Sequence, residues 1–132
     1  METESSKHHV QDPVIAYLPG QDKIKEMGAT MRLGGHDVMI RKDSLAEKVY
    51  GATEIRERFR HRYEVNPQYV EQLEKGGLVF SGKAKNEDIM QIMEIPGHPY
   101  FMACQFHPEL KSSLLHPAPL FLGLLKAADE RA

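Results

Sequence analysis

Cys104, His107 and Glu109 stand within six residues of one another in CQFHPEL. A thiol, an imidazole and a carboxylate are the parts of an activated nucleophile: the imidazole takes the thiol proton, and the carboxylate fixes the imidazole tautomer. The spacing separates them. If YFMACQF (100–106) is a strand, Cys104 and His107 point to opposite faces with Cα atoms roughly 10 Å apart, at about 3.3 Å per residue. A base must come within about 3 Å of its nucleophile. Cys104 therefore reads as a small buried strand residue, the usual place of a free cysteine. His107 and Glu109 are better matched. Pro108 fixes its own φ and keeps His107 out of helical geometry. The Glu109 carboxylate can then bond one imidazole nitrogen and leave the other as a base. The chain has no other cysteine and no G-x-S-x-G elbow. It reads as a base and its orienting acid without the nucleophile.

A second chemistry lies in TEIRERFRHRYEV (53–65). Its period of two predicts a strand with Ile55, Glu57, Phe59, His61, Tyr63 and Val65 on one face and Arg56, Arg58, Arg60, Arg62 and Glu64 on the other. The arginines stand among Glu54, Glu57 and Glu64, and the net charge is −2 (17 basic against 19 acidic residues). That balance favours a self-paired, solvated face over a grip on nucleic acid. One of these arginines can instead hold a small carboxylate through the two parallel hydrogen bonds of its fork. The glycines of GATMRLGG lack the spacing of a phosphate loop and read as a turn. His8-His9 is too few ligands for a metal site.

These groups need a frame. PVIAYL (13–18) reads as a short buried strand stopped by Pro19-Gly20. TMRL (30–33) and HDVMIRK (36–42) read as a hairpin across Gly34-Gly35. Asp43 or Ser44 caps a short helix that Gly51 ends. Asn66-Pro67 opens a second helix with Gly76 as its stop. LVFSGKA, DIMQIMEI and YFMACQF are further strands, and APLFLGLLKAADERA closes the chain as an amphipathic helix. Many strands with interspersed helices predict an α/β or α+β layer fold, a mixed open sheet flanked by helices.

The 132 residues suit one domain, with 41% hydrophobic and 27% charged residues. The longest apolar run, PLFLGLLKAA, is far short of the roughly 20 residues that span a bilayer. The polar start is no secretory signal, and a single cysteine fits a reducing, cytoplasmic compartment.

QFHPEL resembles the His-Glu end of the triad of class I glutamine amidotransferases. GATMRLG (28–34), RFRHRYEVNP (58–67) and PLFLGLLKAA (119–128) are similar to the C-terminal half of the amidotransferase domain of the CTP synthase family, from about residue 13 to residue 128. The resemblance implies an incomplete flavodoxin-like domain: residues 1–12 a flexible lead-in, residues 13–132 its C-terminal portion. In that family a cysteine in a G-x-C-x-G elbow attacks L-glutamine. The ammonia travels to a synthase domain, where ATP with Mg²⁺ phosphorylates UTP and ammonia displaces the phosphate; GTP is an effector. His107 matches the catalytic histidine, Glu109 its acid partner, and Arg62 an arginine that helps to hold glutamine. The elbow, the oxyanion loop and the synthase domain have no counterpart in these residues. The chain alone is thus expected to bind no cofactor, nucleic acid or membrane, and to leave glutamine unhydrolysed. It is also expected to self-associate through the edge of half a parallel sheet. The alternative is a non-catalytic module for association or glutamine sensing.

Overall fold

The computed structural model describes residues 11–17 and 32–131. The lead-in up to residue 10, the Pro19-Gly20 stop and the first four residues of GATMRLG lie outside them. The chain runs β1 (Ile15–Tyr17), β2 (Arg32–Ile40), α1 (Leu45–Tyr50), β3 (Glu54–His61), β4 (Tyr63–Val65), α2 (Pro67–Lys75), β5 (Val79–Ala84), β6 (Met90–Glu94), β7 (Met102–Cys104), a 3₁₀ turn (Pro108–Leu110) and α3 (Pro119–Asp129).

Local signals set the helices. Ser44 caps α1, its Oγ accepting from the backbone of Glu47 at 3.1 Å, and Gly51 ends the helix in the left-handed region at φ 67°. Asn66 caps α2 by accepting from Gln68 N at 3.1 Å, with Pro67 at the first helical position.

Gly34-Gly35 does not reverse the chain as a hairpin. Both glycines lie inside β2, which pairs with β3 over eight residues, Gly34 opposite Phe59 and Gly35 opposite Arg58. Gly34 takes φ 85°, which only glycine adopts without strain. At Gly35 an added Cβ would stand 3.0 Å from Arg56 Nε. The bare backbone lets that guanidinium lie across β2 and reach Asp37 at 2.8 Å. The pair thus serves a close approach within a strand, not a turn.

The period-two strand holds from Glu54 to His61, with Glu57 and Phe59 buried and Arg56, Arg58 and Arg60 exposed. It fails at Arg62, where the chain bends. After the bend Glu64 and Val65 are both buried, so Glu64 leaves the arginine face to which the alternation assigned it.

The main sheet has the order β3-β2-β5-β6-β7, and β1 pairs with β4 in a separate ladder. Every ladder among the described residues is antiparallel, so the expected parallel half-sheet edge is not among them. The sheet curls strongly. Just after β7, Gln105 N still donates to Gln91 O at 3.0 Å, yet two residues later His107 N donates to Arg58 O at 2.8 Å. The chain thereby passes from β6 to the edge of β3 opposite β2. Val38, Ile40, Phe59, Ile92 and Phe106 fill the interior of this curl, with Ala46 of α1 and Leu120 of α3 closing it.

Candidate active site at the outer edge of β3

His107 is fixed by three local features. Its N–H is held by Arg58 O. Phe106, immediately before it and 3% exposed, meets Phe59 edge to face with ring centroids 5.7 Å apart. Pro108, buried, starts the 3₁₀ turn, in which Leu110 N donates to His107 O and Lys111 N to Pro108 O, both at 3.1 Å. This turn was not visible in the sequence as an element, although Pro108 marks its first position.

The turn brings Glu109 Oε1 within 2.7 Å of His107 Nδ1. A carboxylate can only accept, so Nδ1 carries the proton and Nε2 is left as the basic nitrogen. Both side chains are open to solvent, 40% and 55% exposed. The backbone N–H of Glu109 and then His107 hold the Glu109 carboxyl below the usual carboxylate range. It therefore stays ionised as a partner for the imidazole.

Cys104 does not join them. Its thiol donates to Phe106 O at 3.3 Å. Burial first, then the charges of Glu57 and Glu109, push the thiol up to about 12. At neutral pH it is a protonated thiol against the core, not a nucleophile.

Arg62 stands half-buried at the bend between β3 and β4. It lies four residues beyond Arg58, a backbone path of roughly 13 Å along an extended chain. The structure thus joins His107 to Glu109 directly and places Arg62 just beyond the end of the strand whose edge holds His107.

Behind the bend lies a buried cluster that the sequence did not reveal. Arg32 Nε donates to Glu64 Oε1 at 3.0 Å and its Nη2 to Glu87 Oε2 at 2.8 Å. Burial opposes the Arg32 charge, but hydrogen bonds to Glu87 and Glu64 outweigh it, and its pKa rises. Burial pushes Glu64 up to about 7 against the pull of Arg32. Of the pair, Arg32 keeps its charge and Glu64 is the partner that gives it up. His61 Nδ1 donates to Tyr63 O at 3.0 Å, and burial lowers its pKa, so its ring is neutral. The alternation placed His61 inward, but Glu64 becomes internal only because of the bend.

Among the described residues, no three His, Cys, Asp or Glu side chains converge as a metal site. No helix among them is long and apolar enough to cross a membrane.

The family model for class I glutamine amidotransferases matches residues 8–127, and the chain belongs to that family. Within it, the chain is similar to CTP synthases. It is 59% identical to the CTP synthase of Methanothrix thermoacetophila over 115 residues, covering 87% of this chain and 21% of the relative. With the CTP synthase of Borreliella afzelii it shares 52% identity over 118 residues, 89% of this chain and 22% of the relative. The chain spans about a fifth of the length of the curated relatives it matches. A solved glutaminase domain of Trypanosoma brucei CTPS with bound acivicin superposes with a TM-score of 0.81 at 36% identity, covering 91% of this chain and 47% of that one. The α/β fold, with its curled antiparallel sheet and flanking helices, is that of the amidotransferase domain.

Proposed function

We propose that these residues form the base-and-binding half of a CTP synthase-type glutaminase site. The carrying observation is the 2.7 Å contact between His107 Nδ1 and Glu109 Oε1. His107 Nε2 takes the proton from an attacking cysteine thiol and delivers it to the side-chain amide nitrogen of glutamine, which leaves as ammonia as its C–N bond breaks. Glu109 stabilises the imidazolium formed between these steps. Arg62 binds a carboxylate of L-glutamine through its fork. The thiol is not Cys104, so the 132 residues alone do not hydrolyse glutamine. ATP, Mg²⁺, UTP and the effector GTP belong to the synthase side of such an enzyme, where the released ammonia is used; no residue of this chain is assigned to them.

Glutamate release from glutamine tests the reading, with Cys104→Ser and His107→Ala alongside the parent chain. No release from any of the three is expected. Release that disappears with Cys104→Ser would overturn it, because Cys104 would then be acting as the nucleophile. Binding is a separate arm: glutamine is expected to shift the NMR signals of Arg62 and His107, and the Arg62→Ala variant to lose that response. Unmoved signals at saturating glutamine would remove the binding role.

A second reading, a non-catalytic association module, is favoured by the side chains of Leu114 and Leu115, 96% and 83% exposed, and of Leu125, 66% exposed on α3. It expects self-association. Sedimentation that shows only monomer at high protein concentration would count against it.

A further inference from the structure

The His-Pro-Glu tripeptide accounts for the base and the acid but not for what keeps the acid in place. Lys111 follows the 3₁₀ turn directly. Its Nζ donates to the carbonyl of Arg56 and lies 3.5 Å from Glu57 Oε2. At the other end of the turn, His107 N donates to the carbonyl of Arg58 at 2.8 Å. Carbonyls two residues apart on a strand point to the same edge, and among the described residues no strand pairs with this edge of β3. The turn is therefore fastened at both ends to one strand edge, with the His107–Glu109 pair between the fastenings.

The chemistry of the second fastening calls for a cation. Arg56 O and the Glu57 carboxyl are both acceptors, and an ammonium offers three donors to them. The Glu57 side chain is only 5% exposed, and its Oε2 has no hydrogen-bond partner among the described residues. Lys111 thus sets a positive charge 3.5 Å from this buried oxygen. Without it, the turn keeps its own backbone bonds and the His107 fastening but loses its second anchor on β3, and the Glu109 side chain is 55% exposed.

We infer that Lys111, seated on Glu57 and the Arg56 carbonyl, is a positioning residue that keeps Glu109 on His107 Nδ1 and so fixes the imidazole tautomer. The inference rests on the glutaminase reading for its purpose, but its geometry can be tested without glutamine.

The test is ¹⁵N NMR of the His107 ring in the full chain near pH 8.5, about two units above the ordinary imidazole pKa. The parent chain is expected to show one tautomer, with a protonated Nδ1 and a bare Nε2. In Lys111→Met the two nitrogen shifts move toward each other as the tautomers exchange, and exchange of the His107 amide quickens on the order of tenfold. Lys111→Arg restores both signatures. Amide protection at Val38 and Ile92 reports whether the core is intact in each variant, and Lys111→Gln serves if the Met variant does not fold. Unchanged ring shifts and His107 protection in a folded Met or Gln variant would overturn the inference. Failure of the glutaminase reading appears elsewhere, as a parent chain whose Arg62 and His107 signals ignore glutamine while the tautomer result stands.

Discussion

Phe59 and Phe106 meet edge to face inside the curl of the sheet, 47 residues apart in sequence with ring centroids 5.7 Å apart. Phe59 is on β3, whose edge receives His107. Phe106 is the residue that delivers it. The same packing that closes the core therefore sets where the imidazole stands. Both rings are nearly fully buried. Phe106→Ala is expected to lower the unfolding free energy by about 3–5 kcal/mol, measured by urea titration. Phe106→Leu should cost less yet still shift the His107 ring signals. A Leu variant with parent-like His107 signals would show that the ring contact does not position the base.

Helix α1 depends on a residue far from it. Glu94 of β6 accepts from Leu45 N at 2.9 Å and from Ala46 N at 3.1 Å. Its carboxylate thereby satisfies two of the free N–H groups at the helix start and meets the positive end of the peptide dipoles. Glu94 is 6% exposed, so water cannot readily replace it. Glu94→Ala is expected to cost about 1–3 kcal/mol, and Glu94→Gln less, since it keeps one acceptor. Equal urea midpoints for the parent and the Ala variant would refute the long-range cap.

Glu64 gives the fold a pH dependence of unusual sign. Its carboxyl titrates at about 7 in the folded chain, against an ordinary value of 4.5. Between these values the folded chain holds a proton that the unfolded chain has lost. This group's contribution to stability is therefore full below about 4.5 and declines as pH rises toward 7. Glu64→Gln cannot ionise, and Arg32 keeps Glu87 as a partner. The variant should match the parent near pH 4.5 and exceed it near pH 8, at about one unit past the folded pKa. Urea midpoints across that range decide it; parallel curves for the two proteins would refute the assignment.

What the sequence disclosed follows the range of the interactions involved. Ser44, Gly51, Asn66 and Pro67 act within one helical turn, and each sits where its residue type places it. His107 and Glu109 could be paired because an intervening proline constrains a two-residue step. Gly34-Gly35 reads as a turn in the sequence because glycine reports only that the backbone is unusual or closely approached; Arg56 and Phe59, which decide between strand and turn, come over 20 residues later. The bend at Arg62 has no Gly or Pro to mark it, so the alternation ran on and put Glu64 outside. The closure of Phe106 on Phe59 and the seat of Lys111 on Glu57 depend on the curl of a five-stranded sheet, which no local pattern encodes.

Cys104 provides the last test, since its chemistry decides whether CQFHPEL is self-sufficient. Its thiol donates to Phe106 O, packs against the core and is pushed up to about 12 by burial. The thiolate is the reactive form, and a free cysteine titrates near 8.5. At pH 8 the thiolate population is then on the order of a thousandfold below that of a free cysteine. Alkylation by iodoacetamide should slow by a similar factor in the folded chain and return to the free rate in urea. Cys104→Ser keeps a donor for Phe106 O and should change stability little. A folded chain that is alkylated at the free-cysteine rate would mean an accessible, activated thiol beside His107, and the base-without-nucleophile reading of this site would fall with it.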